Sequence, residues 1–438
     1  MKAHQLEFKF HEGDLFEDIC EESNLRKAFT LVKRNKGAPG LDGITIEDFE
    51  QNLTEEIVQL KREILSWTYK PTPVKRVEIP KPDGKGVRLL GIPIIKDRVL
   101  HMAIKMVLEP ILDPEFSESS YGFRPERNQQ QAVEAAQEIV CKGKEFVVDI
   151  DLSKFFDRIN HDRLIHRLSL KIKDKRVLRI IGMILRSGIM TEGTVTIPKE
   201  GSVQGSPLSP LLSNVVLDEL DKELERRKLE FCRFADDCNI FVKTEKAANR
   251  VMNSIKKFIE SKLKLKINEE KSKVAKSDRV KFLGMTIVNG FRAISKKALE
   301  KAMETVEALT PRGSHMSIEQ AIKQINIWYK GWSSYFKMTQ FPAQLKAIEA
   351  HIRRRLRARF IKQQKRRRHL YDKLVKQGTE KRLAAKTVYT NKGTWNLSHT
   401  RAVEKAFSNK WFVKAGLEKV SDLRLEHWLP VKEWVKLA

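Results

Sequence analysis

The stretch FCRFADDCNIF, residues 231–241, contains two adjacent aspartates inside a run of aromatic and aliphatic residues. Neighbouring carboxylates are costly to bury among apolar side chains unless their charge is compensated. β-prone residues flank the pair on both sides, and aspartate is common in turns. The stretch therefore predicts a β-hairpin whose turn carries Asp236 and Asp237. Taken alone, such a pair would need no explanation beyond the turn itself.

A second acidic segment, EFVVDIDL at residues 145–152, has the pattern of a strand. Because successive strand residues point to opposite faces, Val147, Asp149 and Asp151 share one face and the other face is apolar. If this strand and the hairpin are neighbours in one sheet, Asp151 and Asp236 converge. We interpret Asp149 as a supporting or solvated residue.

Converging carboxylates repel one another, so protons or cations must compensate their charge. Mg²⁺ prefers oxygen ligands and is bound by one or two carboxylates together with substrate phosphates. Two such ions, roughly 3.5–4 Å apart, clamp the attacking and leaving oxygens of a phosphoryl transfer. The acidic residues therefore predict a site for Mg²⁺, with Mn²⁺ as an alternative, at the tip of the hairpin, where Asp151 and Asp236 converge.

The charge of the chain points to a polyanionic partner. Its 438 residues include 84 Lys and Arg against 57 Asp and Glu, a formal net charge of +27. Nucleic acid is the leading partner for so basic a chain, and anionic lipid or simple solubility is the alternative. With 41% hydrophobic residues, the chain has enough apolar side chains for a folded core.

The remaining composition excludes several classes of protein. The four cysteines are scattered without a Cys-x-x-Cys pair, which argues against a disulfide scaffold and a cysteine zinc site. The opening MKAHQLEFKFHEGD is too charged for a signal peptide, and no apolar run approaches membrane-spanning length. We expect a cytoplasmic protein that does not contact a membrane.

The hydrophobic patterns indicate a mixed α+β protein. VKRVEIP and VRLLGIP flank the turn sequence KPDGKG and predict a hairpin within residues 71–100. Residues 97–112 have apolar side chains at helical spacing. From Lys296 onward the chain becomes rich in helical patterns and strongly basic.

At this point the sequence resembles a known family, the group II intron reverse transcriptases, also called maturases. The resemblance covers nearly the whole chain, and the order of its motifs makes it specific. The motifs are NKGAPGLDG (35–43), IPKPDGKGVRLLGIP (79–93), YGFRP (121–125), DLSKFFD (151–157), SVQGSPLSP (202–210), FADD (234–237), INEEKSK (267–273), KFLG (281–284) and INIWYKGWSSYF (325–336).

The resemblance implies a right-hand polymerase with an antiparallel sheet in its fingers and palm. It predicts an N-terminal extension and the start of the fingers at residues 1–70, and the fingers and palm at 71–295. An α-helical thumb, also called domain X, is predicted at 296–365. A small, basic, helical DNA-binding region is predicted at 366–438.

The resemblance also implies roles for single residues. Asp151, Asp236 and Asp237 correspond to the metal-binding triad. Phe156, five residues after Asp151, corresponds to a steric gate that leaves no room for a 2′-hydroxyl and so selects dNTPs. The alternative for Phe156 is an ordinary core residue.

Other implied roles concern the incoming nucleotide. Lys81 and Arg88, on the two arms of the fingers hairpin, are expected to hold its triphosphate, and a solvated hairpin is the alternative. Gln204 and Gly205 are expected near the nucleotide and template. Lys271 is expected to protonate the pyrophosphate leaving group, unless it is only a surface lysine.

Two features depart from the family pattern. Phe234 stands where the family usually has Tyr, so contacts to the primer end are expected to change while the aspartates remain intact. The sequence also lacks the Cys-pair and His-Asn-His endonuclease segment that some members carry. We therefore expect priming from an existing 3′ end or from a nick made elsewhere.

The stretch RRRLRARFIKQQKRRR, residues 353–368, contains ten Lys or Arg and no acid. Its composition predicts salt-sensitive binding of nucleic-acid phosphates. The aromatic residues within 328–336 either stack on bases or, as we favour, form a core between thumb helices. The predicted nucleic-acid-binding residues are Arg353, Arg354, Arg355, Arg357, Arg359, Arg366, Arg367 and Arg368.

The sequence therefore predicts an RNA-directed DNA polymerase that uses Mg²⁺ and dNTPs. Its expected partners are an RNA template, a DNA or RNA primer and a structured intron RNA whose splicing it assists. Two alternatives stay open: a splicing cofactor that only binds RNA, and a domesticated relative acting in DNA repair or phage defence. The same active site serves all three, and the sequence fixes neither the priming mode nor the oligomeric state.

Overall fold

The computed structural model describes residues 14–80, 86–191, 193–198, 200–313, 315–423 and 425–429. The chain divides into two compact units. The first contains residues up to Ile139 and Gly143–Ala275, and the second contains Val140–Lys142 and the chain from Lys276. This division falls 20 residues before the predicted end of the palm at residue 295.

Helices cover much of the chain before Lys276. They are α1 (Leu15–Cys20), α2 (Glu22–Arg34), α3 (Ile46–Gln51), α4 (Leu53–Leu65), α5 (Ile95–Leu112), α6 (Gln129–Cys141), α7 (His161–Ser169), α8 (Lys175–Leu185), α9 (Ser209–Arg226) and α10 (Glu245–Phe258). Short 3₁₀ or π turns follow at Asp113–Glu115, Phe155–Arg158 and Ile259–Leu263.

Eight strands accompany these helices in the described residues of the first unit, and they form two four-stranded sheets. They are β1 (Val74–Pro80), β2 (Val87–Ile92), β3 (Phe146–Ile150), β4 (Ile189–Thr191), β5 (Thr194–Thr196), β6 (Glu230–Phe234), β7 (Asp237–Val242) and β8 (Lys273–Lys276). The spatial orders are β2-β1-β4-β5 and β6-β7-β3-β8.

The first sheet contains the hairpin predicted within residues 71–100. β1 and β2 are antiparallel, and Ile79 lies opposite Arg88. The predicted helix is also confirmed, since α5 spans Ile95–Leu112. The amide of Gly91 in β2 donates to the carbonyl of Gln204 at 2.9 Å, which ties this sheet to the loop before α9.

The second sheet contains the hairpin predicted from the Asp pair. Phe234 at the end of β6 pairs with Asp237 at the start of β7, so Ala235 and Asp236 form a two-residue turn. Ala235 has φ +56, the left-handed conformation that such tight turns require. β3 pairs antiparallel with β7, and Ile150 lies opposite Cys238. The next step of that register places Asp151 beside the first residue of β7.

One apolar core lies beneath this sheet and fixes its position. Val148, Ile150 and Ile240 are fully buried in it. They pack in one cluster with residues of α5, α7, α8, α9 and α10. Because both strands that carry acids are anchored through their apolar residues, the carboxylates at the strand ends are held on a rigid base.

The second unit is a short hairpin followed by helices. Its elements are a 3₁₀ turn at Ser277–Arg279, β9 (Met285–Val288), β10 (Phe291–Ile294), α11 (Lys296–Leu309), α12 (Ile318–Phe336), α13 (Pro342–Gln363), α14 (Arg367–Lys376), α15 (Lys381–Val388), α16 (Thr394–Leu397), α17 (Arg401–Ala406) and α18 (Asn409–Lys414). No helix among the described residues is both long enough and apolar enough to cross a membrane.

A buried carboxylate organises this unit. Glu349 on α13 accepts hydrogen bonds from the Tyr329 hydroxyl on α12 and from the amides of Val420 and Ser421, each at 2.8 Å. It also accepts from the Ser421 hydroxyl at 2.5 Å. Buried charges require such donors, so Glu349 fastens the chain after α18 to the two central helices.

Candidate active site

The backbone of Asp151 is held on the side opposite β7 by the INEEKSK motif. Its amide donates to the Ser272 hydroxyl at 2.9 Å, and its carbonyl accepts from the Asn268 amide at 2.8 Å. The same segment brings Lys271 within reach, with 3.6 Å between Lys271 Nζ and Asp151 Oδ2. The motif therefore positions one carboxylate and one cation together.

The charges of these residues act on Asp236. Burial raises the pKa of the Asp236 carboxyl above its ordinary value, and the negative charge of Asp151 raises it further. The positive charges of Arg88 and Lys271 act in the opposite direction and lower it. The structure therefore brings together Asp151, Asp236, Arg88 and Lys271, four of the residues that the sequence singled out.

The carboxylate oxygens suit a hard divalent cation. Asp151 disfavours the ionised form of Asp236 because the two negative charges lie close together, and a bound cation would relieve that repulsion. Within the described residues, no group of three or more His, Cys, Asp or Glu side chains is arranged to hold a metal ion, so the predicted triad does not form such a group. Asp237 is exposed at the start of β7. Mg²⁺ usually retains water and takes ligands from substrate phosphates, so an open carboxylate site fits this ion.

The turn that carries Asp236 is braced by Arg233, a residue that our sequence analysis missed. Its guanidinium is fully buried and pairs with the Asp221 carboxylate of α9 through two contacts of 2.7 and 2.5 Å. It also donates to Asn214 Oδ1 at 3.1 Å and to the Ala235 carbonyl at 2.9 Å. An arginine between apolar strand residues was the available signal, because a buried charge needs a partner.

The YGFRP loop lies against the same turn. The Tyr121 amide donates to the Arg233 carbonyl at 2.8 Å, and Asn214 Nδ2 donates to the Gly122 carbonyl at 2.9 Å. A Cβ atom on Gly122 would lie only 2.2 Å from the Ala235 nitrogen. A close backbone contact with this motif therefore sets the position of the turn that carries Asp236.

Replacing Gly122 with Ala should displace the turn, because the added Cβ meets backbone atoms that cannot rotate away. A shift of about 1 Å at a reacting group can cost about a hundredfold in rate, and we expect a loss of that order in primer extension. Gly331→Ala is the matched control, since nothing lies within 4 Å of a Cβ at Gly331. Equal activity of the two variants in a steady-state extension assay would contradict this reading.

Phe156 and the Gln-Gly loop are joined through the backbone. The Ser202 amide donates to the Phe156 carbonyl at 2.7 Å. Gly205 has φ +128, and a Cβ there would lie 2.5 Å from the Gly91 carbonyl oxygen of β2. Phe156 is half-buried, with its ring 5.3 Å from that of Phe155. These backbone contacts therefore connect Phe156, the predicted gate, to the loop that carries Gln204 and Gly205, and connect that loop to β2.

Of the two residues predicted to bind the triphosphate, the structure describes only Arg88. Arg88 is exposed on β2, and its charge reaches Asp236. Lys81 lies outside the described residues.

The predicted nucleic-acid surface needs a correction at three arginines of α13, because Arg355, Arg357 and Arg359 are buried. The guanidinium of Arg355 donates to the Thr310 carbonyl at 3.0 Å, that of Arg357 to the Phe407 carbonyl at 2.9 Å, and that of Arg359 to the Pro311 carbonyl at 2.7 Å. Their donors are directed to the protein's own loops, so these residues stabilise the fold.

The other five predicted arginines differ from these three in their exposure and in their contacts. Arg366, Arg367 and Arg368 are exposed before and at the start of α14. Arg354 is half-buried and lies over the Trp395 ring at 4.0 Å. Arg353 is 3.9 Å from buried Glu349. Among the eight predicted arginines, the exposed ones are therefore those at residues 366–368.

The aromatic residues that were predicted to lie in the thumb form a packed row on α12. The rings of Trp328 and Trp332 are 5.7 Å apart, and those of Trp332 and Phe336 are 4.6 Å apart. Tyr329 is fully buried, whereas Trp328 and Trp332 are half-buried against the core of the second unit. This placement agrees with the core interpretation that we favoured.

Comparison with known proteins identifies two families along the chain. Residues 79–287 match the family described as reverse transcriptase (RNA-dependent DNA polymerase). Residues 299–378 match the group II intron, maturase-specific domain. The first match contains strands β2 to β8 of the two sheets in the first unit, together with Asp151, Asp236 and Asp237. The second match contains α12 and α13.

Several known proteins are similar to parts of this chain. Protein YkfC of Escherichia coli (strain K12) is 31% identical over 339 residues, covering 67% of this chain and 89% of YkfC. Group II intron-encoded protein LtrA of Lactococcus lactis subsp. cremoris is 33% identical over 249 residues, covering 56% of this chain and 40% of LtrA. A solved chain from a partial Cas6-RT-Cas1--Cas2 complex is 26% identical, with a TM-score of 0.38, covering 57% of this chain and 43% of that chain.

The sheet with its carboxylates and the matched family define a reverse transcriptase with the right-hand polymerase fold. The chain belongs to the group II intron reverse transcriptase and maturase family, whose members are RNA-directed DNA polymerases. The family resemblance and the α+β class predicted from the sequence are thereby confirmed. Members of this family use divalent metal ions and bind an RNA template.

Proposed function

We propose that this chain extends a primer 3′ end with dNTPs on an RNA template, with Mg²⁺ bound by Asp151, Asp236 and Asp237. The observation that carries the proposal is the convergence of Asp151 and Asp236 at adjacent strand ends, under the opposing charges of Arg88 and Lys271. Bound metal ions would supply charge stabilisation at the attacking and leaving oxygens.

The chain's own residues provide positioning and charge. The exposed Arg88 binds the triphosphate of the incoming nucleotide, and Lys81, which lies outside the described residues, is proposed to assist it. Lys271 lies 3.6 Å from Asp151 and donates a proton to the departing pyrophosphate. Gln204 and Gly205, joined to β2, support the nucleotide and the template from the loop before α9.

Phe156 is proposed to exclude the 2′-hydroxyl of ribonucleotides. Primer extension on an RNA template should therefore proceed with dNTPs and poorly with NTPs. Phe156→Ala should lower the ratio of dNTP to NTP incorporation about tenfold or more by raising NTP incorporation, since a removed ring leaves space for one hydroxyl. Competition between dATP and ATP in single-nucleotide extension measures the ratio.

Phe155→Ala provides the control, because Phe155 is the adjacent ring but is buried in the core. An unchanged dATP/ATP incorporation ratio in Phe156→Ala would contradict the proposal that Phe156 is the steric gate. Failure of the parent protein to extend any primer, with RNA binding intact, would overturn the polymerase proposal and favour a splicing cofactor.

A maturase activity is the second candidate, and the match to the maturase-specific domain favours it. We propose that the exposed Arg366, Arg367 and Arg368 bind phosphates of a structured RNA, in a protein located in the cytoplasm. Salt-dependent RNA binding and splicing of an intron that flanks the gene would support this activity. A gene with no flanking intron would favour the repair or defence alternative.

A further inference from the structure

Two buried histidines hold opposite ends of the Gln-Gly loop, residues 201–206. Nε2 of His161 lies 2.6 Å from the Gly201 carbonyl oxygen, and Nδ1 of His101 lies 2.9 Å from the Ser206 hydroxyl oxygen. Both histidines are only 4% exposed. Neither is one of the residues to which the family motifs assign a role.

The His161 end of the loop lies beside the predicted gate. His161 begins α7, five residues after Phe156. A carbonyl oxygen can only accept, so Nε2 of His161 donates to Gly201. The Gly201 amide donates in turn to the Ile159 carbonyl at 2.7 Å. His161 therefore fastens the start of the loop to the segment that carries Phe156.

The His101 end of the loop is held from α5. Burial and the positive charge of Arg98 lower the pKa of the His101 imidazole to about 3, so the ring is neutral at physiological pH. A neutral imidazole and a hydroxyl can each donate or accept, so His101 and Ser206 form their hydrogen bond without a charge on the ring. Among the described residues, Nε2 of His101 has no hydrogen-bond partner. An apolar side chain would avoid that buried unpaired atom, so what His101 contributes here is its contact with Ser206.

Between these two ends, the loop is fixed by its backbone. The Gly91 amide donates to the Gln204 carbonyl at 2.9 Å, and the Ser209 hydroxyl donates to the Val203 carbonyl at 2.7 Å. Gly205 is nevertheless exposed, and Gln204 is half-buried. The histidines therefore hold the ends of a short loop whose middle residues remain accessible to a substrate.

We propose that His101 and His161 are positioning residues for the incoming nucleotide and that they act through the Gln-Gly loop. The inference rests on the proposed polymerase function, in which Gln204 and Gly205 support the nucleotide. Because the histidines act on the loop and not on the reacting atoms, a displaced loop should weaken nucleotide binding equally in the ground state and the transition state. Such a change raises the KM for dNTP and leaves kcat unchanged.

Asparagine and glutamine test the two contacts, because each amide replaces one nitrogen of the ring. The asparagine amide lies where Nδ1 does, and the glutamine amide extends to the position of Nε2. His101→Asn and His161→Gln should therefore keep their contacts, whereas His101→Gln and His161→Asn should lose them. Since one hydrogen bond changes an equilibrium by about tenfold at most, we expect the KM for dNTP to rise about five- to tenfold in the second pair only.

The opposite order of the amides at the two positions separates positioning from stability. A purely structural role would follow the volume lost from the core, so it would rank asparagine and glutamine in the same order at both histidines. His166→Asn and His166→Gln, at an exposed histidine of α7, are the controls and should keep the parent's KM for dNTP and melting temperature. The same ranking at both positions, or KM changes that follow the melting temperature, would overturn the positioning roles.

A primer that ends in a dideoxynucleotide measures nucleotide binding without chemistry. The dNTP complementary to the next template base should hold the parent on this primer–template duplex against excess competitor RNA, and His101→Gln and His161→Asn should require more dNTP. If the parent extends primers and all four variants require the same dNTP concentration as the parent, the positioning roles fail and the polymerase proposal stands. If the expected ranking is found but the parent extends no primer, the positioning roles stand and the polymerase proposal fails.

Discussion

Replacing Asp236 with Asn should reduce primer extension at least about a thousandfold while leaving the affinity for a primer–template duplex nearly unchanged. Asparagine keeps the size of the side chain but removes the charge that would bind metal, and metal-ion catalysis contributes several kcal/mol to phosphoryl transfer. Single-turnover extension with saturating dNTP and Mg²⁺ measures the chemical step. Asp162→Asn, at an exposed aspartate of α7, is the control and should retain full activity.

The same substitution should not destabilise the protein. Because burial and Asp151 raise the pKa of Asp236, its ionised form is disfavoured in the folded state relative to the unfolded chain. Removing that charge at neutral pH should therefore leave the melting temperature unchanged or higher. An Asp236→Asn protein that retained normal extension, or one that failed only because it unfolded, would contradict the assignment of Asp236 to the metal site.

Breaking the buried Arg233–Asp221 pair is the second large effect that we expect. Arg233→Met leaves the Asp221 carboxylate buried without its partner, and loss of one member of a buried pair costs about 3–5 kcal/mol. In chemical denaturation, this loss of unfolding free energy should appear as a lower denaturant concentration at the unfolding midpoint. The control is Arg226→Ala, at an exposed arginine that pairs with the half-buried Glu223. It should change stability little, because an exposed arginine contributes little to a pair and Glu223 keeps its contact with Arg227.

A double variant separates the stabilising role of Arg233 from its role in positioning the turn. Arg233→Met with Asp221→Leu removes both charges, and apolar replacement of a buried pair is often neutral for stability. It does not restore the hydrogen bond from Arg233 to the Ala235 carbonyl. We therefore expect recovered stability with primer extension still impaired. Recovery of both properties would show that Arg233 stabilises the fold without positioning Asp236.

The eight predicted arginines show what a local sequence pattern can and cannot predict. Composition correctly indicated that the chain is basic, but it assigned all eight predicted arginines to one phosphate-binding surface. Three of them are buried and donate to carbonyls at Thr310, Phe407 and Pro311, which lie 45 to 50 residues away in the sequence. Such partners depend on how helices and loops meet, and neither composition nor spacing contains that information.

The sequence by itself determined the aspartate hairpin, the acidic strand and the order of the family motifs. These follow from short-range alternation of apolar and polar residues and from turn chemistry, which act within a few residues. Only the tertiary structure decided that Arg233 braces the turn and that Gly122 lies against Ala235. Both depend on backbone segments far apart in sequence approaching closely around one core, so their physical cause is the packing of the whole unit.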